Sequence, residues 1–183
     1  GVTDGLQWTK VYTGSDSSPV WTKSYADALG RTVKTEKPGF SGTELTENTY
    51  NTLGQLIKTT TTGQPATLYT YDELGNQYRS GQDINANNTL DLSGTDRITE
   101  SESSFVLISS AWWQQAVQKI YATDNNATPI TNSVSRTQLT GLPEGTRSVA
   151  SALDSFGNET IATVAINRAT KTVTQTTDFP DST

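Results

Sequence analysis

The sequence predicts an all-β protein, an array of antiparallel β-hairpins of about 20–24 residues each, joined into a curved, extended sheet. Three observations carry that reading. The turn glycines Gly30, Gly54 and Gly75 stand 24 and 21 residues apart, and Gly157 lies 82 residues further on, close to four more such steps. One step holds two strands of about eight residues, each reaching roughly 26 Å, plus two turns. Apolar residues make up only 32% of the chain and threonine is conspicuous throughout, which suits two-sided strands with one wet face better than a thick core. The whole chain, 1–183, is read as one repeat array.

The unit is clearest at Tyr69-Thr70-Tyr71-Asp72-Glu73-Leu74-Gly75-Asn76. Residues alternate in a strand, Asp72 supplies a side-chain acceptor at the first corner, and Gly75 stands where a positive φ is needed. Related turns occur at Tyr25-Ala26-Asp27-Ala28-Leu29-Gly30-Arg31, at Tyr50-Asn51-Thr52-Leu53-Gly54-Gln55 and at Leu153-Asp154-Ser155-Phe156-Gly157-Asn158. Their turn-forming pairs are Asp27 with Gly30, Asn51 with Gly54, Asp72 with Gly75, and Asp154 with Gly157. These residues resemble the YD-repeat, or RHS-repeat, family, named for a Tyr-Asp dipeptide that is intact here only at Tyr71-Asp72. Ala26 interrupts it in the first copy, Asn51 replaces the acid in the second, and Leu153 replaces the tyrosine in the fourth. The repeats are clearest over residues 20–80. Residues 97–177 are read as divergent repeats, and from about 97 to 150 the likeness rests on strand-and-turn rhythm alone.

In chain order, Leu6-Gln7-Trp8-Thr9-Lys10-Val11-Tyr12 alternates as a strand, turns through Gly14 to Pro19, and returns as Val20 to Tyr25. Trp8 and Trp21 are placed to stack across these two strands or to serve as a sugar-binding platform. Arg31 to Glu36 runs out to a loop at Lys37 to Gly42, and Glu44 to Tyr50 comes back. Leu56 to Thr62 is strongly β-prone and turns at Gly63-Gln64-Pro65. Arg97 to Glu102 resumes alternation, and Phe105-Val106-Leu107-Ile108 is read as a short buried strand. Ala111 to Tyr121 fits either a helical stripe or a strand. The strand is chosen, because a lone helix has no place among hairpins. Trp112 and Trp113 then point to opposite faces, which makes this pair the leading interface candidate. The segments 132–141, 147–153, 160–166 and 170–177 complete the series, and 178–183 reads as a linker-like tail. Asn87, Asn126 and Asn158 lie in Asn-x-Thr sequences, which imply surface exposure.

One stretch has ligand chemistry. Asp83, Asn85, Asn87 and Asp91 hold positions 1, 3, 5 and 9 of a loop, a spacing that lets oxygen side chains converge on a hard cation such as Ca²⁺. Asn88 stands where the EF-hand has its glycine, and Gly94 stands where it has the bidentate glutamate. Asp96 is the substitute ligand. A structural calcium site is one expectation, and an ion-free loop of Asx turns is the other.

Composition excludes several functions. There is no His and no Cys, which removes Ser-His-Asp and Cys-His triads, zinc ligation by those residues and thiol redox chemistry. The acids Asp72, Asp83 and Asp154 are explained by turn geometry, and no enzymatic activity is expected. A net charge of −6 with no basic cluster argues against nucleic acid. No apolar run reaches the roughly 18 residues of a membrane span. Lacking methionine altogether, the chain is read as a processed product or a piece of something larger. The family resemblance implies a structural role, a segment of an extracellular shell or surface protein whose hairpins join edge to edge. The RHS self-cleaving Asp-Pro motif is absent, so that activity is not carried over. Two alternatives stand beside this role: a unit of a self-assembling extracellular fibre or tube built by edge pairing with neighbouring copies, and a carbohydrate-binding adhesion module using the tryptophans.

Overall fold

A computed structural model describes residues 1–180 and is all-β: fourteen antiparallel strands and no helix among the described residues. The chain divides into two units, Gly1–Arg97 and Ile98–Thr183. In the first unit the strands are β1 (Val2–Thr3), β2 (Leu6–Tyr12), β3 (Trp21–Ala26), β4 (Thr32–Gly39), β5 (Gly42–Tyr50), β6 (Leu56–Thr61), β7 (Ala66–Tyr71) and β8 (Gln77–Asp83). Each of β1 to β7 pairs antiparallel with its successor, so every connection within this unit is a hairpin. In the second unit β9 (Arg97–Ile108), β10 (Ala111–Tyr121), β11 (Ile130–Gln138), β12 (Thr146–Leu153), β13 (Glu159–Asn167) and β14 (Thr172–Asp178) follow the same rule.

The cores are thin, as the low apolar content implied. Tyr25 and Leu68 are the buried apolar residues of the first unit, and Ile98, Ala111 and Tyr121 those of the second. With so few buried side chains, the strand ladders and cross-strand pairs carry much of the order. Buried polar groups therefore stand out: Asp83 and Asp96 in one unit, Glu100 and Ser151 in the other.

Several local expectations change. The outer loop at Lys37 to Gly42 is a tight hairpin instead, because β4 runs on to Gly39 and β5 starts at Gly42, leaving Phe40 and Ser41 at the tip. The run Phe105 to Ile108 is a strand, but Phe105 is 66% and Leu107 59% exposed. It forms the tip of the long β9–β10 hairpin, whose turn residues Ser109 and Ser110 both take positive φ, 49° and 66°, as a two-residue type I′ turn requires. As expected, by contrast, Ala111–Tyr121 is a strand, paired residue for residue with β9. Asp178 is not tail but the end of β14, opposite Ile161. Of the rest of the expected tail, Phe179 and Pro180 lie beyond the last strand, and 181–183 lie outside the described residues.

Candidate functional site

The four turns share one hydrogen-bond pattern. In each, the first-corner side chain accepts with Oδ1 from the backbone N–H two and four residues on: Asp27 from Leu29 and Arg31, Asn51 from Leu53 and Gln55, Asp72 from Leu74 and Asn76, Asp154 from Phe156 and Asn158. Those bonds are 2.8–3.0 Å long. The glycine N–H bonds back to the corner carbonyl, and the corner N–H bonds to the carbonyl four residues on. Gly30, Gly54, Gly75 and Gly157 sit at φ 79°, 83°, 87° and 84°, the left-handed region that closes a type I turn with a G1 bulge. The fourth-residue side chain completes the lock. Arg31 Nε donates to Asp27 Oδ2 at 2.8 Å, and Asn76 and Asn158 donate to Asp72 and Asp154 at 3.1 and 2.8 Å. At Asn51 the polarity reverses, with Nδ2 donating to Gln55 Oε1 at 2.7 Å. These donors hold the three aspartates below the usual carboxylate range: chiefly the Arg31 side chain for Asp27, Asn76 for Asp72 and Asn158 for Asp154.

Consecutive hairpins of the first unit are also tied together. Tyr50, just before its turn, donates its hydroxyl to the carbonyl of Thr32 at 2.9 Å, and Tyr71 donates to that of Leu56 at 2.8 Å. Thr32 and Leu56 each stand five residues past the corner of the preceding turn, so the two straps are equivalent. In the other direction, the Gln55 amide donates to the carbonyl of Gly75 at 3.5 Å, and the Arg31 guanidinium stacks on Tyr50 at 4.5 Å from the ring centre. The tyrosine of the Tyr-Asp pair thus has a physical task, bridging its own hairpin to the one before. Sequence reasoning missed it. The signal available was the tyrosine one position before the corner in two successive copies.

The Asp83–Asp96 loop brings its expected residues together, but their oxygens are already engaged. The buried Asp83 carboxylate accepts from the backbone N–H of Asn87 and Asn88 at 3.0 and 2.8 Å. The buried Asp96 accepts from Ile84 and Asp91 at 2.9 Å each. Asp91 Oδ2 accepts from the side-chain amides of Asn85 and Asn87, which lower its pKa, and Asn85 and Asn87 themselves cap Asx turns. Asn88 takes φ 64° in place of the EF-hand glycine. Its Oδ1 accepts from Lys58 Nζ at 2.5 Å, pinning the loop to β6. Beside it lies a cleft of about 470 Å³ whose lining includes Lys58, Leu68, Arg79 and Leu90. Among the described residues no group of three or more His, Cys, Asp or Glu side chains is set to hold a metal ion. A cation here would use the second lone pairs of Asp83, Asp91 and Asp96 together with the Asn oxygens.

The tryptophans fall into two groups. Trp8 and Trp21 do not stack on each other, since Trp8 stands opposite Tyr25 and Trp21 opposite Tyr12, with the Lys10–Lys23 pair between those rows. Each ring instead carries a lysine: Lys23 Nζ lies 4.2 Å from the Trp8 ring centre and Lys10 Nζ 4.0 Å from that of Trp21. Trp112 is 48% exposed, while Trp113 faces the other side, half-buried, with its indole N–H lacking an acceptor. Trp112 is also where β10 meets the loop after β11, its carbonyl accepting from Leu139 at 2.7 Å and its N–H donating to Thr140 Oγ1 at 2.8 Å. No family model matches this chain, and no curated protein sequence matches it.

Proposed function

We propose that this chain is a non-enzymatic structural protein, a segment of an extracellular YD- or RHS-repeat shell or surface protein. The observation that supports this reading is the pair of equivalent tyrosine straps, Tyr50 to Thr32 and Tyr71 to Leu56. A turn motif alone makes a hairpin, whereas a strap repeated at the same position makes one hairpin the template for the next. Such a device serves extension of a sheet. The acids that paired-carboxylate chemistry would use are instead spent on turn and loop amides.

A second reading, assembly of copies into a fibre or tube, is favoured by β14. All seven of its residues are exposed, it pairs with β13 without a bulge, and it contains neither Pro nor Lys, the devices that usually blunt an edge. Electron microscopy and light scattering of the 183-residue chain, with and without a calcium chelator, separate the two. Filaments or tubes support edge-propagated assembly, and their loss on chelation assigns an ion to the Asp83–Asp96 loop. A monodisperse particle of 19.7 kDa sinks the fibre reading and leaves the shell segment, whose sheet extends only with neighbouring repeats attached.

A further inference from the structure

The face shared by β2 and β3 carries three cross-strand rows: Trp8 opposite Tyr25, Lys10 opposite Lys23, and Tyr12 opposite Trp21. Two lysines directly opposite each other on one face of a sheet repel. Here they lean apart onto opposite aromatic rows. Lys10 Nζ lies over Trp21 and Tyr12 at 4.0 and 4.8 Å, and Lys23 Nζ over Trp8 and Tyr25 at 4.2 and 4.6 Å.

Neither lysine forms an ion pair among the described residues. The acid on the neighbouring strand is Glu36, opposite Lys23 on β4, and its contacts are to other groups, Lys23 acting on it only as a weaker, more distant charge. It pairs with Lys34 at 2.8 Å and accepts the Tyr25 hydroxyl at 3.0 Å. Lys34, 5.1 Å from the Tyr25 ring, adds to the aromatic packing while its charge is met by Glu36. In a chain of net charge −6, a facing lysine pair between two aromatic rows, with no acid in salt-bridge contact among the described residues, is a local inversion of the overall electrostatics. The two rows differ in their neighbours. The backbone of Gly1 lies against the indole of Trp8, close enough that a Cβ there would stand 2.4 Å from the ring, while Tyr12 and Trp21 are half-buried with Lys10 over one face of each ring.

We propose that this face is a binding site for an acidic saccharide, with the Lys10 and Lys23 ammoniums taking its carboxylate or sulfate and the Tyr12–Trp21 row packing against a sugar ring. The chemistry is matched on both counts. Two ammoniums offer unpaired donors to an oxyanion, and aromatic faces offer an apolar plane to the C–H side of a pyranose. Rows on one strand face are two residues apart, about 6.6 Å, so one acidic sugar unit reaches from the lysine pair to the aromatic row. The site needs only this hairpin, and it stands or falls independently of the array reading.

The test is titration of the unmodified 183-residue chain, followed by tryptophan fluorescence and calorimetry at low salt. The probes are a tetragalacturonate, a sulfated tetrasaccharide, a neutral tetrasaccharide and inorganic sulfate. Expected is saturable binding of at least one acidic saccharide, at least tenfold tighter than the neutral one and weakened by added salt. Lys10→Gln with Lys23→Gln lowers that affinity at least tenfold with an unchanged circular dichroism spectrum. Trp21→Leu, with both lysines kept, lowers it as well and removes the fluorescence change, whereas Trp8→Phe preserves both. Three results each overturn the proposal: no acidic saccharide binds, the neutral one binds equally, or inorganic sulfate binds as tightly as the saccharides. The first leaves the lysines as braces of the hairpin, and the last leaves an anion patch with no sugar recognition.

Discussion

The first three repeat turns and the fourth have the same corner and different surroundings, and the difference separates what makes a turn from what makes a repeat. All four close with an acceptor at the corner and a glycine at φ 79–87°. In the first three, the register slips by one residue just beyond the turn: Ala26 faces Thr32 but Tyr25 faces Lys34, Tyr50 faces Leu56 but Thr49 faces Lys58, and Tyr71 faces Gln77 but Thr70 faces Arg79. The residue left over is Val33, Ile57 or Tyr78, always six positions past the corner. At the fourth turn Leu153 faces Glu159 and Ala152 faces Thr160 with no slip, and the sixth position is the polar Thr160. A bulge re-aims side chains and sharpens the local twist. The Asx-glycine turn is thus a local device that works with or without its neighbours. The bulge and the tyrosine strap are the parts that relate one hairpin to another.

The largest expected effect tests the shared part. Gly54→Val places a β-branched residue in the left-handed region and should cost about 2 kcal/mol. Gly157→Val should cost about the same, because no other atom lies within 4 Å of the added Cβ there and only the flexible end of Arg31, at 3.4 Å, lies near it at Gly54, so the backbone conformation is what is at stake. Urea denaturation of both variants checks the equality. A difference of more than about 1 kcal/mol would mean that the bulge, and not the turn alone, sets the demand for glycine.

Next in size is the corner acid. Asp72→Ala and Asp154→Ala each remove the acceptor of two backbone N–H groups and a side-chain amide at an exposed turn, where water takes over part of the loss, so each should lower stability by less than the glycine variants do. The same groups make the turns pH-dependent. Their folded pKa lies below the unfolded value, so their contribution is complete above the unfolded pKa near 3.9 and is lost as pH falls through the folded one. Stability measured from pH 6 down to pH 2 should drop below about pH 4. Asp72→Asn should flatten part of that slope, since Asn51 already shows that an amide fills the corner with its partner reversed. A slope unchanged in Asp72→Asn would locate the acid sensitivity elsewhere.

What was legible in the sequence follows this division. The turns were readable because their chemistry is local: an acceptor, a glycine three residues on, and alternation on either side. Ala111–Tyr121 was resolved only by the company it keeps, its periodicity fitting a helix equally well. The Phe105–Ile108 run misled because hydrophobicity marks a buried strand only where something covers it, and at the tip of a long hairpin nothing among the described residues does. Likewise, Trp8 and Trp21 were paired by type, while register decided against it. A strand offset of four residues put each opposite a tyrosine and gave the intervening places to lysines. In the Asp83–Asp96 loop the sequence named the oxygen-bearing side chains and could not say which donors would reach them, and the structure spends those oxygens on loop amides.

The tyrosine strap gives the smallest effect and the most discriminating one. Tyr71→Phe keeps the ring and removes only the hydroxyl that reaches the Leu56 carbonyl on β6, at an expected cost of about 0.5–1 kcal/mol. Hydrogen exchange gives it meaning beyond stability. If the strap makes one hairpin the template for the next, amides at the start of β6, beside Leu56, should lose protection more than those of the β7–β8 hairpin to which Tyr71 belongs. Leu153 occupies the equivalent place before the fourth turn and has no hydroxyl to lose, so Leu153→Phe should alter packing without that directional pattern. Protection lost only within β7–β8 after Tyr71→Phe would reduce the tyrosine to an ornament of its own turn, and the physical case for a propagating repeat would go with it.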